Sequence, residues 1–361
     1  MPDLPQRRFL AHQVADMLRD GIRRGLWQSH LPAERALCAK YQVSRVTVRS
    51  ALKQLQREKL IRSEHGSGSL ILAKPRKQAG QRQSHDVGLL SPEPLERLRP
   101  AQTLWIDELR AMLSEHGCRL HVFHGRQFFR GNPSRSLRRL IAENPHGCWI
   151  LTLSNAAIQQ WFDKQKVPCI VAGSVHAGLG LPFRDLDHRA MCRHAAGVLL
   201  GLGHRRLALV IATSDLAGDI ESEAGFVEGV ERSSHIGAQA GVARHDGTLA
   251  GISLALRRLM EKQPPTTGLV VANALNYLTV VSRLAQMGRR VPQDVSVISR
   301  DDDIFLSYLV PAPARYETSP HILARSLLRP VLELLARTVL TRRDQRLMPD
   351  FVRGESVSPI T

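Results

Sequence analysis

Residues 43–60, VSRVTVRSALKQLQREKL, are rich in side-chain hydrogen-bond donors. Arg45, Thr47, Arg49 and Lys53 stay out of phase with Val48, Ala51, Leu52 and Leu55, which recur at helical spacing. A helix with this pattern buries its apolar stripe and presents guanidinium, hydroxyl and ammonium groups on its other faces. Ser44 stands just ahead of the run, where a side-chain oxygen caps a helix start. Such a surface suits a duplex groove, because an arginine fork bonds a guanine edge at two points and also reaches phosphates. The segment IRSEHGSGSLIL (61–72) follows as a hairpin with His65, Gly66 and Ser67 around its turn. Gly66 and Gly68 permit a tight reversal and let the backbone approach a phosphate or a minor groove.

Other clusters promise less. The acidic run Asp301-Asp302-Asp303 lacks partner ligands at a recognisable spacing, so no metal is expected. His204-Arg205-Arg206 could hold an anion, but its place at a helix-to-strand junction favours a structural role. Five cysteines (Cys38, Cys118, Cys148, Cys169 and Cys192) are odd in number and form no Cys-x-x-Cys pair, which reads as buried free thiols rather than disulfides or zinc ligands. There is no Gly-x-Ser-x-Gly elbow, Walker loop or His-Glu-x-x-His. No catalytic residue and no cofactor is therefore expected, and the chain does not read as an enzyme.

The charge distribution supports a polyanionic partner. Against 33 Asp and Glu the chain carries 50 Lys and Arg, a net charge of +17. Residues 1–86 hold 17 of the basic and only 7 of the acidic side chains, so charge density is highest near the N-terminus. Apolar residues at 43% and charged residues at 23% fit a globular protein and exclude a disordered or fibrous one. No apolar run is long enough to span a bilayer, and no apolar signal core follows the polar stretch Met1–Arg8, so a cytoplasmic protein without membrane contact is expected.

These side chains need elements to hold them. A first helix is expected over residues 10–24, with Val14, Met17, Leu18 and Ile22 inside and Gly25 ending it. Pro32 opens a second helix, with Leu37 and Tyr41 inside. Residues 73–86, AKPRKQAGQRQSHD, lack branched and aromatic side chains and read as a linker. From Val87 onward, short apolar runs such as VGLL (87–90), CWILTL (148–153), RLALVIA (206–212) and VSVIS (295–299) alternate with amphipathic segments. Strand–helix–strand order of this kind implies parallel sheets covered on both faces, and two such series imply two lobes. The expected organisation is thus a DNA-binding head at 1–72, a linker at 73–86 and a two-lobed α/β unit at 87–361.

The stretch LPAERALCAKYQVSRVTVRSALKQLQREKLIRSEHGSGSLIL resembles the GntR-type winged helix-turn-helix over almost its full length. By that resemblance Arg35, Arg45, Thr47, Arg49 and Gly66 contact DNA, with Ser44, Lys53, His65 and Ser67 beside them. Ala33 departs from the usual serine, which weakens a helix cap. The segment 87–361 resembles the LacI-type effector domain, related to periplasmic sugar-binding proteins, on GLGHRRLALV (201–210), EAGFVEGVE (223–231), PPTTGLVVAN (264–273), MGRRVPQDVSVISRDDD (287–303) and LMPDFVRGESV (347–357). The resemblance implies doubly wound lobes, crossovers between them and a ligand cleft at the strand ends. Candidate cleft residues are Ser91, Asn155, Asn273 and Asp301, each equally readable as a cap or loop residue.

Three departures bear on the ligand. Ser222 stands where the family has arginine, Ala274 where aspartate is common, and Ser299-Arg300 precede Asp301-Asp302 where glycine and an aromatic are usual. A changed set of anchors implies a changed ligand, or a cleft that has lost one. The expected function is a transcription regulator, with repression as the default. Its expected partners are double-stranded operator DNA, a small carbohydrate-like effector and a second copy of itself. An enzyme or a pure ligand-binding protein with a basic appendage is the rival class.

Overall fold

The computed structural model describes residues 10–23, 27, 29–41, 43–58, 60–64, 68–72 and 85–360. The chain divides into two compact units, residues 1–82 and 83–361.

In the first unit, α1 (Leu10–Arg23) leads through β1 (His30–Leu31) to α2 (Glu34–Tyr41), α3 (Arg45–Arg57), β2 (Ile61–Glu64) and β3 (Gly68–Ile71). The stripe read from the sequence of α3 is buried: Val48, Ala51, Leu52 and Leu55 pack against Val14, Leu18 and Ile22 of α1 and Leu37 of α2. Met17 is a correction, because it lies 45% exposed while Ala15 takes the inner place. Arg19 of α1 donates to both carboxylate oxygens of Glu58, at 2.8 and 2.6 Å, and so ties the first helix to the end of the third. β3 lies between β1 and β2, antiparallel to both, with Ile61 opposite Ile71. The expected turn residues His65, Gly66 and Ser67, and the expected linker as far as residue 84, lie outside the described residues.

The second unit contains two open six-stranded sheets. Its first lobe runs through β4 (Asp86–Ser91), α4 (Pro100–Glu115), β5 (Arg119–His124), α5 (Ser134–Glu143), β6 (Cys148–Thr152), α6 (Ala156–Gln165), β7 (Cys169–Ala172) and β8 (Phe183–Leu186). The chain then crosses to the second lobe: α7 (His188–Gly201), β9 (Arg206–Ala212), α8 (Ala217–Glu231), β10 (Gln239–His245), α9 (Leu249–Met260), β11 (Gly268–Val271), α10 (Ala274–Gln286), β12 (Ser296–Ser299) and β13 (Ala314–Glu317). It returns for α11 (Pro320–Leu335) and β14 (Asp344–Leu347) and crosses once more to β15 (Asp350–Val352). The strand orders are β14-β8-β7-β6-β4-β5 and β10-β9-β11-β12-β13-β15, parallel throughout except for β13 against β15. Three connections therefore join the lobes.

Alternation explains the layers. In the first lobe Val87, Leu89, Ile150 and Ile170 face α4 and α11, whereas Leu90, Trp149, Leu151 and Val171 face α5 and α6. In the second lobe Leu207, Leu209 and Ile298 face α7 and α8, whereas Ala208, Val210 and Val297 face α9 and α10. Strands covered on both faces carry uninterrupted apolar runs, as CWILT and GLVV do.

Helices α7 and α8 approach so closely that a β-carbon on Gly225 would fall 2.1 Å from the Arg189 carbonyl oxygen. Gly197, on the exposed side of α7, has nothing within 4 Å of that position. Gly225→Ala is expected to lower unfolding free energy by about 1–3 kcal/mol through overpacking. Gly197→Ala should raise it by about 0.5–1 kcal/mol by restricting the unfolded chain and favouring helix. Urea denaturation of the two variants checks both, and equal midpoints would contradict the close crossing.

Candidate functional site

Helix α3 is set up by its own first turn. The Ser44 hydroxyl accepts from the Thr47 N–H at 3.2 Å and lies 2.8 Å from the Thr47 hydroxyl, so both predicted site residues also close the helix start. Arg45, Arg49 and Lys53 follow one another at four-residue intervals on an exposed face. The Nε of Arg49 donates to the two carboxylate oxygens of Glu34, at 3.2 and 3.0 Å, which fixes it to the start of α2. Arg35 is exposed beside it on α2. The sequence reading missed Val46, which is 78% exposed on the same first turn. Its signal was available: an apolar residue out of phase with the buried stripe. An exposed methyl-bearing side chain there can meet a thymine methyl group.

Between the lobes of the second unit lies a cleft of about 750 Å³. It is lined by the C-terminal ends of β6, β7, β9 and β11 and by the segment after β12. Of the four predicted cleft residues, the structure brings Asn273 and Asp301 to it. Ser91 is instead buried with its hydroxyl donating to the Glu93 carbonyl at 2.8 Å. Asn155 caps α6, accepting from the Ile158 N–H at 3.2 Å, while its amide donates to the Phe129 carbonyl at 3.1 Å. Asn273 also spends its oxygen as a cap, on the N–H of Leu275 at 2.9 Å. Asn and Ser occur at both caps and ligand sites, so residue type alone could not separate these roles.

Asp301 is engaged as well. Its neighbour Arg300 is buried; Arg300 Nε donates to Asp301 at 2.9 Å, and Nη1 to Asp219 at 2.9 Å and to the Ser222 hydroxyl at 2.8 Å. Ser222 is the position where the resemblance implies arginine, so a guanidinium reaches that space from the end of β12 instead of from α8. Arg99, just before α4 in the first lobe, donates to the other oxygen of Asp301. The result is an alternating row, Asp219, Arg300, Asp301, Arg99, that runs from one lobe to the other. Burial alone would discharge both Arg300 and Asp301. The opposite charges outweigh it, keeping Arg300 protonated and holding the Asp301 carboxyl far below the usual range.

A second polar cluster marks the first crossover. Asp185, at the end of β8, accepts from the Ser174 hydroxyl at 2.5 Å and the Leu186 N–H at 2.8 Å, and lies 3.4 Å from His188 Nε2. Burial would raise its carboxyl; the His188 charge and these bonds outweigh that and lower it. His204 is a bolt rather than an anion site: buried, it meets the Thr267 hydroxyl at 3.0 Å and the Ser358 carbonyl at 3.1 Å. Since the carbonyl can only accept, Nε2 carries the proton and Nδ1 accepts from Thr267. Four cysteines are buried and Cys38 is half-buried; burial pushes Cys169 up to about 12 and Cys192 up to about 11. Among the described residues no group of three or more His, Cys, Asp or Glu could hold a metal ion, and no helix is long and apolar enough to cross a membrane.

Removing the shared cation exposes the electrostatics. Arg300→Ala leaves Asp219 and Asp301 facing each other with one partner fewer, and should cost about 3–5 kcal/mol of stability. The depressed Asp301 carboxyl contributes stability that is complete above the unfolded carboxylate value and fades as pH falls below about 4. The gap in melting temperature between the parent protein and Asp301→Asn should therefore narrow as pH is lowered from 6 toward about 2. A gap independent of pH in thermal melts would contradict the ion row.

Comparison with known proteins agrees with this geometry. Residues 10–71 match the family model of the bacterial regulatory proteins, gntR family, and residues 196–357 match that of a periplasmic binding protein-like domain. The second match begins within α7 and so covers the second lobe and the closing crossovers. The HTH-type transcriptional regulator CelR of Thermobifida fusca is 24% identical over 227 residues, 61% of each chain. An arabinose metabolism transcriptional repressor of Halalkalibacterium halodurans is 23% identical over 310 residues, 83% of this chain and 80% of the relative. The chain spans 55 to 61% of the length of the first three curated relatives it matches. A solved CelR–cellobiose complex superposes with a TM-score of 0.67 at 20% identity, covering 97% of this chain and 100% of that one. A LacI family regulator of Enterococcus faecium with bound ribose gives 0.61 at 17% identity, covering 76% of this chain and 100% of that one. At these identities the solved structures speak for the fold. The chain thus joins a gntR-family regulatory head, residues 10–71, to a periplasmic-binding-protein-like domain of LacI-type fold.

Proposed function

We propose that the protein is a DNA-binding transcription regulator whose two-lobed unit takes a small carbohydrate-like effector in its cleft. The observation that carries this reading is the exposed row Arg45, Arg49 and Lys53 on a helix whose back is buried and whose first turn is closed by Ser44 and Thr47. A groove-reading helix needs this combination of a rigid back and an outward row of donors. Arg35 and Lys53 meet phosphates in this reading, and Arg45 and Arg49 meet base edges. The family resemblance adds His65, Gly66 and Ser67, outside the described residues, as contacts to the DNA backbone or minor groove. Glu34 holds the Arg49 fork in one orientation, which lowers the entropy cost of presenting it. The curated relatives are named as transcription regulators, two of them as arabinose metabolism repressors, which supports a sugar-responsive output with repression as its sign.

Two copies paired through the larger unit would place two heads on successive half-sites and multiply their affinities. The effector would act by closing the lobes, and it can shift DNA occupancy only by its differential affinity for the two states. We assign the protein no catalytic step, and its place of action is the cytoplasm, where the operator is.

Arg45→Ala and Arg49→Ala are each expected to weaken operator binding by about 1–3 kcal/mol, read by fluorescence anisotropy on a sequence selected from a random duplex pool. The logarithm of the parent's affinity should fall linearly with the logarithm of salt concentration, because neutralised phosphates release counterions. Unchanged affinity in both variants, or a flat salt plot, would overturn the assignment of α3.

A further inference from the structure

The arginines that line the cleft are already committed. Arg300 serves Asp219, Ser222 and Asp301, and Arg99 serves Asp301 as well. Arg315 donates to Asp302 at 2.9 Å and to Glu317 at 3.1 Å. Arg184 is buried against four backbone carbonyls, and Arg97 lies 3.8 Å from Glu93. Among the described residues no lysine lines the cleft, and His188 is turned to Asp185. An anionic ligand would meet no free cation here.

The acidic side has one exception to this pairing. Asp303 lines the cleft and is only 3% exposed, yet neither of its carboxylate oxygens has a hydrogen-bond partner among the described residues. It stands just before the short 3-10 turn Ile304–Tyr308 without capping it. Burial, with the nearby charge of Asp302, pushes its carboxyl above the ordinary range, while the backbone N–H groups of Ile304 and Phe305 and the charge of Arg99 pull the other way. A buried carboxylate left unpaired is costly, and in a native protein it asks for a reason. Lining a ligand-sized cleft, it is placed to receive a partner from outside. A pair of hydroxyls would satisfy its lone pairs and leave its charge uncompensated. A protonated amine would do both.

We propose that the effector carries a protonated amine, seated at Asp303, on a polyhydroxyl frame such as an amino sugar; the frame rests on the regulator reading above. Asp303 then sets specificity against neutral and acidic sugars of the same shape. It lies beyond Asp301 and Asp302, which the cleft's own arginines occupy.

The test uses the full chain and matched sugar trios, each an amine, a neutral and an acid form: glucosamine, glucose and gluconate, then galactosamine, galactose and galactonate. Thermal shift and calorimetry are run at millimolar ligand and neutral pH. An amine member should raise the melting temperature while its neutral and acid counterparts do not. Asp303→Asn should weaken that binding roughly tenfold or more. It should leave the unliganded melting temperature unchanged or higher, because the buried charge is gone; Asp303→Ser serves as the second variant should the first misfold. The proposal is overturned if no amine member binds, if neutral or acid members bind as well, or if both variants bind the amine like the parent. Duplex DNA binding by the same preparations separates the two readings. An amine response without DNA binding at low ionic strength removes the regulator reading and keeps Asp303; DNA binding without an amine response removes Asp303 alone.

Discussion

Burying a guanidinium is costly unless acceptors meet it, and Arg300 organises the larger unit by drawing two carboxylates and a hydroxyl to it. Its partners Asp219 and Asp301 are drawn in around it, and Ser222 is small enough to leave the guanidinium room and polar enough to accept from it. Arg99 then balances the second oxygen of Asp301 from across the cleft. One buried cation thus links the end of β12, the start of α8 and the loop before α4. The arrangement also consumes Asp301, the carboxylate that the family resemblance would have offered to a ligand. Asp303 keeps no hydrogen-bond partner of this kind among the described residues.

The head depends on a smaller version of the same logic. Its core is apolar and local, but two ion pairs choose the geometry that matters. Arg19 with Glu58 fixes α1 against the end of α3, and Arg49 with Glu34 fixes the exposed face of α3 against α2. The first pair is partly shielded and stiffens the scaffold. The second is exposed and contributes little stability by itself; its effect is to hold a donor group in place.

Much of the fold was legible because it rests on local period. The buried stripe of α3, its Ser44 cap and the two-sided apolar strands β6, β9 and β12 follow from spacing alone. Strands β8, β13 and β14, with sequences FRDL, ARYE and DQRL, were not anticipated. Each is four residues long and mixes charged with apolar side chains, so neither alternation nor hydrophobicity marks them. Met17 fits the helical period of α1 and still faces outward, because Ala15 suffices where α1 meets its neighbours.

The sequence by itself determined the order of elements, the basic head with its donor row, and the two-lobed α/β class, since each is written in the spacing of neighbouring residues. Tertiary structure decided which polar groups were free. Asp219 and Arg300 are 81 residues apart, and Arg99 and Asp301 are 202 apart. Only folding brings such charges together, and the pairing of three arginines with their carboxylates leaves Asp303, among the described residues lining the cleft, as a carboxylate without a hydrogen-bond partner. Ser91 and Asn155 became turn and cap residues through backbone groups two and three residues away, because a polar side chain bonds what lies beside it and its type does not say what that will be.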